Sequence, residues 1–410
     1  MLEQFIVIII GIFISIEIFT YFIISNVNNK FQWLIMKKDE FPNLSEKGLK
    51  KFFEHGYDSE LGWIRKPNTL HSEIGKNGQT KWTVNSKGFR TNPEYDNLES
   101  KISCYGDSFV FCRQVNDNET WEYYLSQLQN TNVLNLGVGN YGIDQALIRM
   151  KREYSKNKTP VVVLAVVPET ICRIVSVWKH YYEYGNTFGF KPRFIIKNEK
   201  LELIKNQIDS RSKFFEYKKY LNIIQKNDFF YKKKFQKEKI NFPYSLSILK
   251  NFRRNLSIIY WVLKIQRDER LEKKDLQKKW NLMKIIMKIN LKWRVKLYQN
   301  QKITALLKKI IEEYVTFSQE NQFKPVFLLL PQKDDIIFIK NNYHFYKEFV
   351  EDLSQINGLN IIDITDEILK ESNLDDLYSD NNNYGGHFSS EGNKKISLLI
   401  NQKLSSLKII

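Results

Sequence analysis

Lys101-Ile102-Ser103-Cys104-Tyr105-Gly106-Asp107-Ser108-Phe109 reads as a short strand, Lys101–Tyr105, running into a glycine turn that carries a serine. The same grammar recurs downstream. Val133–Val138 is a second strand, ending in the loop Gly137-Val138-Gly139-Asn140-Tyr141-Gly142. Pro160–Val167 (PVVVLAVV) is a continuous β-branched run, as expected of a strand covered on both faces. Asn118 is placed to N-cap a helix with Trp121, Leu125 and Leu128 on one face, and Asp144–Tyr154 reads as a helix with Leu147 and Met150 inward. Pro325–Leu330 and Asn360–Ile364 are further strands, and Ile396, Leu399, Ile400 and Leu404 fall at helical spacing in a final helix. This alternation predicts an α/β fold, a parallel sheet with helices on both faces.

Composition bounds the rest. The chain has 410 residues, 42% hydrophobic and 27% charged, which excludes wholesale disorder and a many-span membrane protein. Three cysteines, Cys104, Cys112 and Cys172, exclude a disulfide-stapled scaffold and are compatible with a reducing compartment. The net charge of +17 is confined: Lys205 to Asn300 holds 26 Lys plus Arg against 8 Asp plus Glu, a net of +18. A near-neutral body therefore carries one strongly basic segment.

Phe5 to Ser25 (FIVIIIGIFISIEIFTYFIIS) is long enough to cross a hydrocarbon core of about 30 Å, with Glu17 its only charge. Without a basic n-region or an A-x-A-like site, it fits a single-pass anchor better than a cleaved signal peptide. Lys30, Lys37 and Lys38 after the span place the body in the cytoplasm by the positive-inside rule, but Asp39 and Glu40 beside them weaken the bias, so the side stays open. The organisation expected is an anchor at 1–30, the first part of the α/β domain at 45–175 with a polar lead-in, a basic helical insertion at 176–318, and the second part of the domain at 319–410. The lead-in contains Leu61-Gly62-Trp63 and Val84-Asn85-Ser86-Lys87-Gly88-Phe89-Arg90; the insertion opens with a hairpin, Phe194–Ile196 and Leu201–Leu203.

Ser108, on a tight turn after a parallel strand, lies where open α/β sheets place their ligands. If the segment after it turns helical, its free N–H groups can stabilise an oxyanion. Gly385-Gly386-His387-Phe388-Ser389-Ser390-Glu391-Gly392-Asn393 directly precedes the last helix, so His387 sits at the same sheet edge, where it can act as general base with an ordinary pKa of about 6.5. His55, His71, His180 and His344 have no metal-like spacing, so neither metal nor other cofactor is expected. Gly137-x-Gly139-x-x-Gly142 matches a dinucleotide fingerprint by letters but follows the second strand and lacks its acidic partner.

With Ser108, the glycine loop and His387 in that order, the chain resembles the SGNH (GDSL-type) hydrolases, in particular membrane-linked bacterial members with GDSF, GVGNYGxDQ and GGHFSxEGN blocks. The resemblance covers about residues 60–195 and 322–405. It implies a flavodoxin-like three-layer α/β/α sandwich and ester hydrolysis through an acyl-serine. Carried over residue by residue, Ser108 is the nucleophile and an oxyanion donor, and Asn140 stands where the family has a glycine donor. The family's third-block Asn is missing after Val167-Pro168-Glu169, which leaves Thr170 as a weaker donor. The family's triad Asp falls on Tyr384; Asp380 is the nearest candidate acid, with Asp375, Asp376 and Glu169 as rivals and a Ser–His dyad as a further arrangement.

The function expected is hydrolysis of an O-acyl ester, acetyl for example, on a glycan or lipid-linked sugar. The alternatives are O-acyl transfer by the same serine in surface polysaccharide modification, and a catalytically dead carbohydrate-binding or assembly protein. The basic insertion reads as a solvated helical cap or as a surface for anionic lipid or acidic polysaccharide, with Tyr231, Trp261, Trp280 and Trp293 interleaving its lysines. No nucleic-acid-binding module is recognisable.

Overall fold

A computed structural model describes residues 1–30, 44–183, 186–270, 276–379 and 386–410, with side chains at 29–30, 268–284 and 286 outside the description. Five parallel strands form the sheet: β1 (Ser100–Gly106), β2 (Asn132–Gly137), β3 (Val161–Val166), β4 (Lys324–Leu329) and β5 (Asn360–Asp363), in the order β2-β1-β3-β4-β5. This is the flavodoxin-like order, with its switch point between β1 and β3.

Side-chain alternation explains the layering. Ile102, Cys104, Val161, Val163 and Ala165 face one core, and Tyr105, Val162, Leu164 and Val166 face the other. The first core is closed by α2 (Trp121–Gln129) and α8 (Ser390–Ser406) through Trp121, Leu125, Ile396, Ile400 and Leu404. The second is closed by α3 (Ile143–Glu153) and α7 (Gln301–Asn321) through Leu147, Met150, Ile310 and Tyr314. Two details of α2 depart from expectation. Thr120, not Asn118, caps it, accepting from Tyr123 N–H at 3.0 Å. Leu128 points outward at 43% exposure, because the buried stripe runs through Trp121, Glu122, Leu125 and Ser126.

The segment between β3 and β4 contains the expected hairpin, Arg193–Lys197 with Lys200–Ile204, then the helices α4 (Tyr244–Lys250), α5 (Phe252–Arg270) and α6 (Leu276–Tyr298) before α7. Its first part shares the body's core: Trp178, Tyr182, Phe190 and Phe214 belong to the same cluster as Leu164. The Tyr314 hydroxyl on α7 donates to Val162 C=O at 2.6 Å and accepts from Val326 N–H at 2.9 Å, tying β3 to β4. Tyr231 and Trp293 pack inward, against Tyr181 and Phe235 and against Phe230, so their rings are not an interfacial belt. The Trp280 side chain lies outside the description. α1 (Leu2–Lys30) is long and apolar enough over Leu2–Asn28 to cross a membrane. Lys37, Lys38, Asp39 and Glu40, which bear on its orientation, lie outside the described residues.

Arg294 on α6 is buried and ion-paired with Asp334 at 3.3 Å and with Asp335, both just beyond β4. Arg294→Leu leaves these two buried carboxylates without their cation, so it should lower stability by about 3–5 kcal/mol. A fall in the midpoint of thermal unfolding of the detergent-solubilised chain checks this; an unchanged midpoint contradicts it.

Candidate active site

The turn after β1 is built by close approach. A Cβ on Gly106 would lie 2.0 Å from Ala165 O, and one on Gly137 would lie 2.2 Å from Phe111 N, so the chain crosses the strand ends only where side chains are missing. The buried Asp107 carboxylate then accepts from Phe109 N–H (2.8 Å), Val167 N–H (3.0 Å) and Arg173 (3.2 Å), pinning the turn to the end of β3. Arg90, from the lead-in, is buried and donates to the carbonyls of Phe111, Cys112 and Val115, with Asp117 at 3.0 Å. The segment after Ser108 is a run of turns rather than a helix, with Cys112 and Gln114 at φ +53° and +69°. The helix N-terminus expected directly after Ser108 is therefore not formed.

Ser108 is 8% exposed, and its hydroxyl has no hydrogen-bond partner among the described residues. Asn140 has φ +68°, the left-handed geometry expected of it, and neither its N–H nor that of Ser108 has an acceptor among the described residues. Gly139 links the two loops: a Cβ there would lie 3.9 Å from Ser108 Cβ. Thr170 is not part of this group. It is fully buried, and its hydroxyl accepts from Ile143 N–H at 2.9 Å, capping α3.

The His387 ring packs on Phe109, the residue after the serine, with centroids 4.9 Å apart. Its Nδ1 lies 3.0 Å from Gln114 Oε1, and its own backbone N–H donates to the same oxygen at 3.2 Å. That second bond identifies the atom as the amide oxygen, so Nδ1 carries the ring proton and Nε2 keeps its lone pair. Gln114 is held in turn by Glu73, which accepts from Gln114 N–H (3.1 Å), Trp82 Nε1–H (3.1 Å) and Arg113 Nε–H (3.1 Å). Sequence reasoning missed both residues. Glu73 lies on a lead-in hairpin, Thr69–Gly75 with Gly78–Val84, and nothing in its local pattern points to a loop about forty residues away.

Burial pushes the His387 pKa down to about 3, with the Arg113 charge acting in the same direction and Glu73 opposing it. The ordinary value near 6.5 expected from sequence is thus corrected. The candidate acids are also sorted. Asp380 and Tyr384 lie outside the described residues. Glu169 is committed to Arg173 at 2.8 Å and to the Tyr182 hydroxyl at 2.6 Å; these and Arg294 overcome the burial that opposes ionisation and take its pKa down to about 2. Asp375 pairs with Lys333, and Asp376 is exposed beside Lys76 at 3.9 Å. Among the described residues, the group that orients His387 is the Gln114 amide. No set of three or more metal-ligating side chains occurs among the described residues.

A cleft of about 360 Å³ opens beside Gly139 and Asn140, walled by Trp63, Arg65, Arg113, Lys179 and Phe188. Trp63 Nε1–H donates to Gly139 C=O at 2.9 Å, so the lead-in also shapes the second loop. Arg113 is paired with Glu73, and Lys179 lies 3.1 Å from Glu183. The Arg65 guanidinium instead stacks on Trp82 (4.7 Å) and Phe111 (4.9 Å), without a carboxylate partner among the described residues. Burial, with Arg113 and Arg90 nearby, lowers its pKa to about 10, so it stays cationic at neutral pH.

No protein family matches the chain, and no curated protein does. Among solved structures it is similar to one described as a lipolytic protein of the G-D-S-L family from Desulfitobacterium hafniense DCB-2. The match has 12% identity and a TM-score of 0.33, and covers 74% of this chain and 99% of the other.

A carboxylate facing Nδ1 stabilises imidazolium, so Gln114→Glu should raise the His387 pKa by roughly 1–3 units. NMR titration of selectively labelled histidine checks this: the wild-type His387 resonance should stay neutral well below pH 6.5 and move upward in the variant. A wild-type midpoint at 6.5 that Gln114→Glu leaves in place contradicts the Nδ1–Gln114 assignment.

Proposed function

We propose that the chain is an SGNH-type serine esterase, anchored in a membrane by α1, that hydrolyses an O-acyl group on a glycan or lipid-linked sugar. One observation carries this reading. Ser108 stands at the switch point of the sheet, the ring of the next residue, Phe109, packs on the His387 imidazole, and the Nδ1 proton of that imidazole is engaged by Gln114, which leaves Nε2 as the base in this reading.

In this mechanism Ser108 Oγ attacks the acyl carbon as Nε2 of His387 takes its proton. The oxyanion meets the N–H groups of Ser108 and Asn140, and losing one such donor costs about 2.7–4 kcal/mol. Collapse breaks the bond to the sugar oxygen, which leaves with the proton from His387. Water, deprotonated by the same Nε2, then releases the acid and regenerates the serine. A sugar hydroxyl in place of water makes the same site an O-acyltransferase, and product analysis with an added glycan acceptor separates the two. The unpaired guanidinium of Arg65 beside Gly139 favours a substrate with a carboxylate or phosphate near the ester.

Fluorophosphonate should label the protein at Ser108. Ser108→Ala should abolish both labelling and p-nitrophenyl acetate turnover, and His387→Ala should suppress turnover with the fold intact. Persistent labelling of Ser108→Ala contradicts the assignment, and a wild-type chain that neither labels nor turns over is a binding protein. Arg65→Ala should weaken kcat/KM for an anionic acetyl ester about tenfold more than for a neutral one, the loss of one charge-assisted hydrogen bond of about 1.5 kcal/mol. Equal losses on both esters remove the anionic group from the reading.

A further inference from the structure

Glu17 is the one charge in the apolar run of α1, and the structure gives it a partner. Its carboxylate accepts from Ser245 N–H at 3.1 Å, from Tyr244 N–H at 2.5 Å and from the Ser245 hydroxyl. These are the first residues of α4, whose N-cap is Pro243 and makes no side-chain cap bond. Glu17 therefore caps α4 from another element and satisfies N–H groups that its own sequence leaves open. The contact continues along α1 in both directions. Phe13 meets Phe242 at 6.4 Å and Tyr21 meets Tyr244 at 5.4 Å. Ile24 and Val27 pack with Ile258, Ile259 and Val262 of α5, and Asn26 and Gln266 exchange amide hydrogen bonds at 2.9 and 3.1 Å.

This contact fixes a depth. Glu17 lies eight residues before Ser25, where the apolar run ends. At 1.5 Å per residue, the start of α4 lies about 12 Å along α1 from that end, and Phe242, opposite Phe13, lies about 18 Å along. If α1 crosses a bilayer, the start of α4 is inside the hydrocarbon. Its composition agrees. Phe242, Leu246, Leu249, Leu256, Tyr260 and Leu263 are 46–65% exposed. Leu256, Tyr260 and Leu263 share one face of α5 by helical spacing. So dense a run of exposed large apolar side chains is foreign to a water-facing surface.

We infer that Phe242–Leu263 is a re-entrant element embedded in the same leaflet as the C-terminal half of α1, with acyl chains covering its exposed apolar side chains. Backbone in hydrocarbon must have its polar groups satisfied by protein, and the Glu17 cap does this where α4 begins deepest. The same bonds account for a carboxylate in the span, which would otherwise cost about 2.5–3.5 kcal/mol. Lys250 and Arg253, within the element where α4 gives way to α5, and Lys264, at its end, have stems long enough to reach headgroups. The inference rests on α1 spanning a bilayer and is independent of the chemistry at Ser108.

The test uses the full chain in phosphatidylcholine nanodiscs, with the fluorophore NBD on single introduced cysteines; the native cysteines are all buried. Probes at Leu249→Cys and Leu256→Cys report the element. Ile12→Cys reports the span, and Leu398→Cys, exposed on α8, reports water. The two element probes should emit to the blue of Leu398→Cys, lose most of their emission to doxyl-labelled lipid and resist iodide, at low and high salt alike. Adding Glu17→Ala should return them toward iodide access; Glu17→Gln, which keeps one acceptor, should do so only in part. Iodide access equal to that of Leu398→Cys overturns the inference. Shielding from iodide without quenching by lipid means that protein covers the element, and overturns it also. Lipid contact that requires anionic lipid and vanishes in salt is surface adsorption, a third contrary result. If Ile12→Cys itself shows no lipid quenching, the anchor has failed and the inference falls with it, whatever the site at Ser108 does.

Discussion

The Asp107 carboxylate holds three separate pieces of chain at one point: the turn that carries Ser108, the end of β3 through Val167 N–H, and Arg173. Its position between β1 and β3 is the switch point of the sheet, where the strand order diverges and a crevice has to open. Arg173 extends the tie. It also donates to Tyr141 C=O in the second loop at 2.9 Å and to Glu169 at 2.8 Å. Each of these groups is buried, so none can exchange its partner for water cheaply. The serine turn, the Asn140 loop and the end of β3 are thereby constrained as one unit. The aspartate of the Gly-Asp-Ser turn thus orders the loops around Ser108.

The sheet was legible because each strand is a hydrophobic run of the right length bounded by turn residues, and burial on both faces is a local property of such runs. The places of Ser108 and His387 in the fold were legible for a related reason: each sits by a glycine turn next to a strand or helix whose own position the pattern already gave. Gln114 and Glu73 were not. Their role depends on a hairpin folding across the serine loop, and a glutamine at left-handed φ carries no pattern that distinguishes it from a surface residue. The carboxylates nearest His387 in sequence are not the groups that meet its ring among the described residues. The group at hydrogen-bond distance from Nδ1 is instead a neutral amide, supplied by the loop that carries Ser108. Thr170 was misplaced for the opposite reason. Its position after β3 is right for an oxyanion donor, but its hydroxyl is used to begin α3.

A neutral partner changes the electrostatics of the pair. A carboxylate at Nδ1 would favour imidazolium and raise the pKa of the base, whereas an amide oxygen orients the ring with a smaller bias toward the charged form. With its pKa held down by burial and by the Arg113 charge, His387 stays unprotonated over a wide range of pH. The arrangement favours the neutral imidazole and gives little stabilisation to an imidazolium. Glu73, acting on His387 through space and already paired with Arg113, restores only part of that stabilisation.

Burial also qualifies the net charge of the basic segment. Arg294 is counted inside Lys205–Asn300, yet its partners Asp334 and Asp335 lie beyond β4, outside that window. Within the window, Lys234 is buried against Glu238 at 3.3 Å. A count along the chain therefore overstates the charge this segment presents to solvent, because Arg294 is structural and is neutralised by carboxylates from elsewhere in the fold, whereas the Lys234–Glu238 pair lies wholly within the window. The same holds in reverse for α1, where a lone acid in an apolar run counts as an isolated charge until α4 is placed against it. In both cases the energetic meaning of a charge lies in its partner. Here the partners are supplied across the boundary between the sheet domain, the insertion and the anchor, so these three regions are bound together by buried polar contacts as well as by apolar packing.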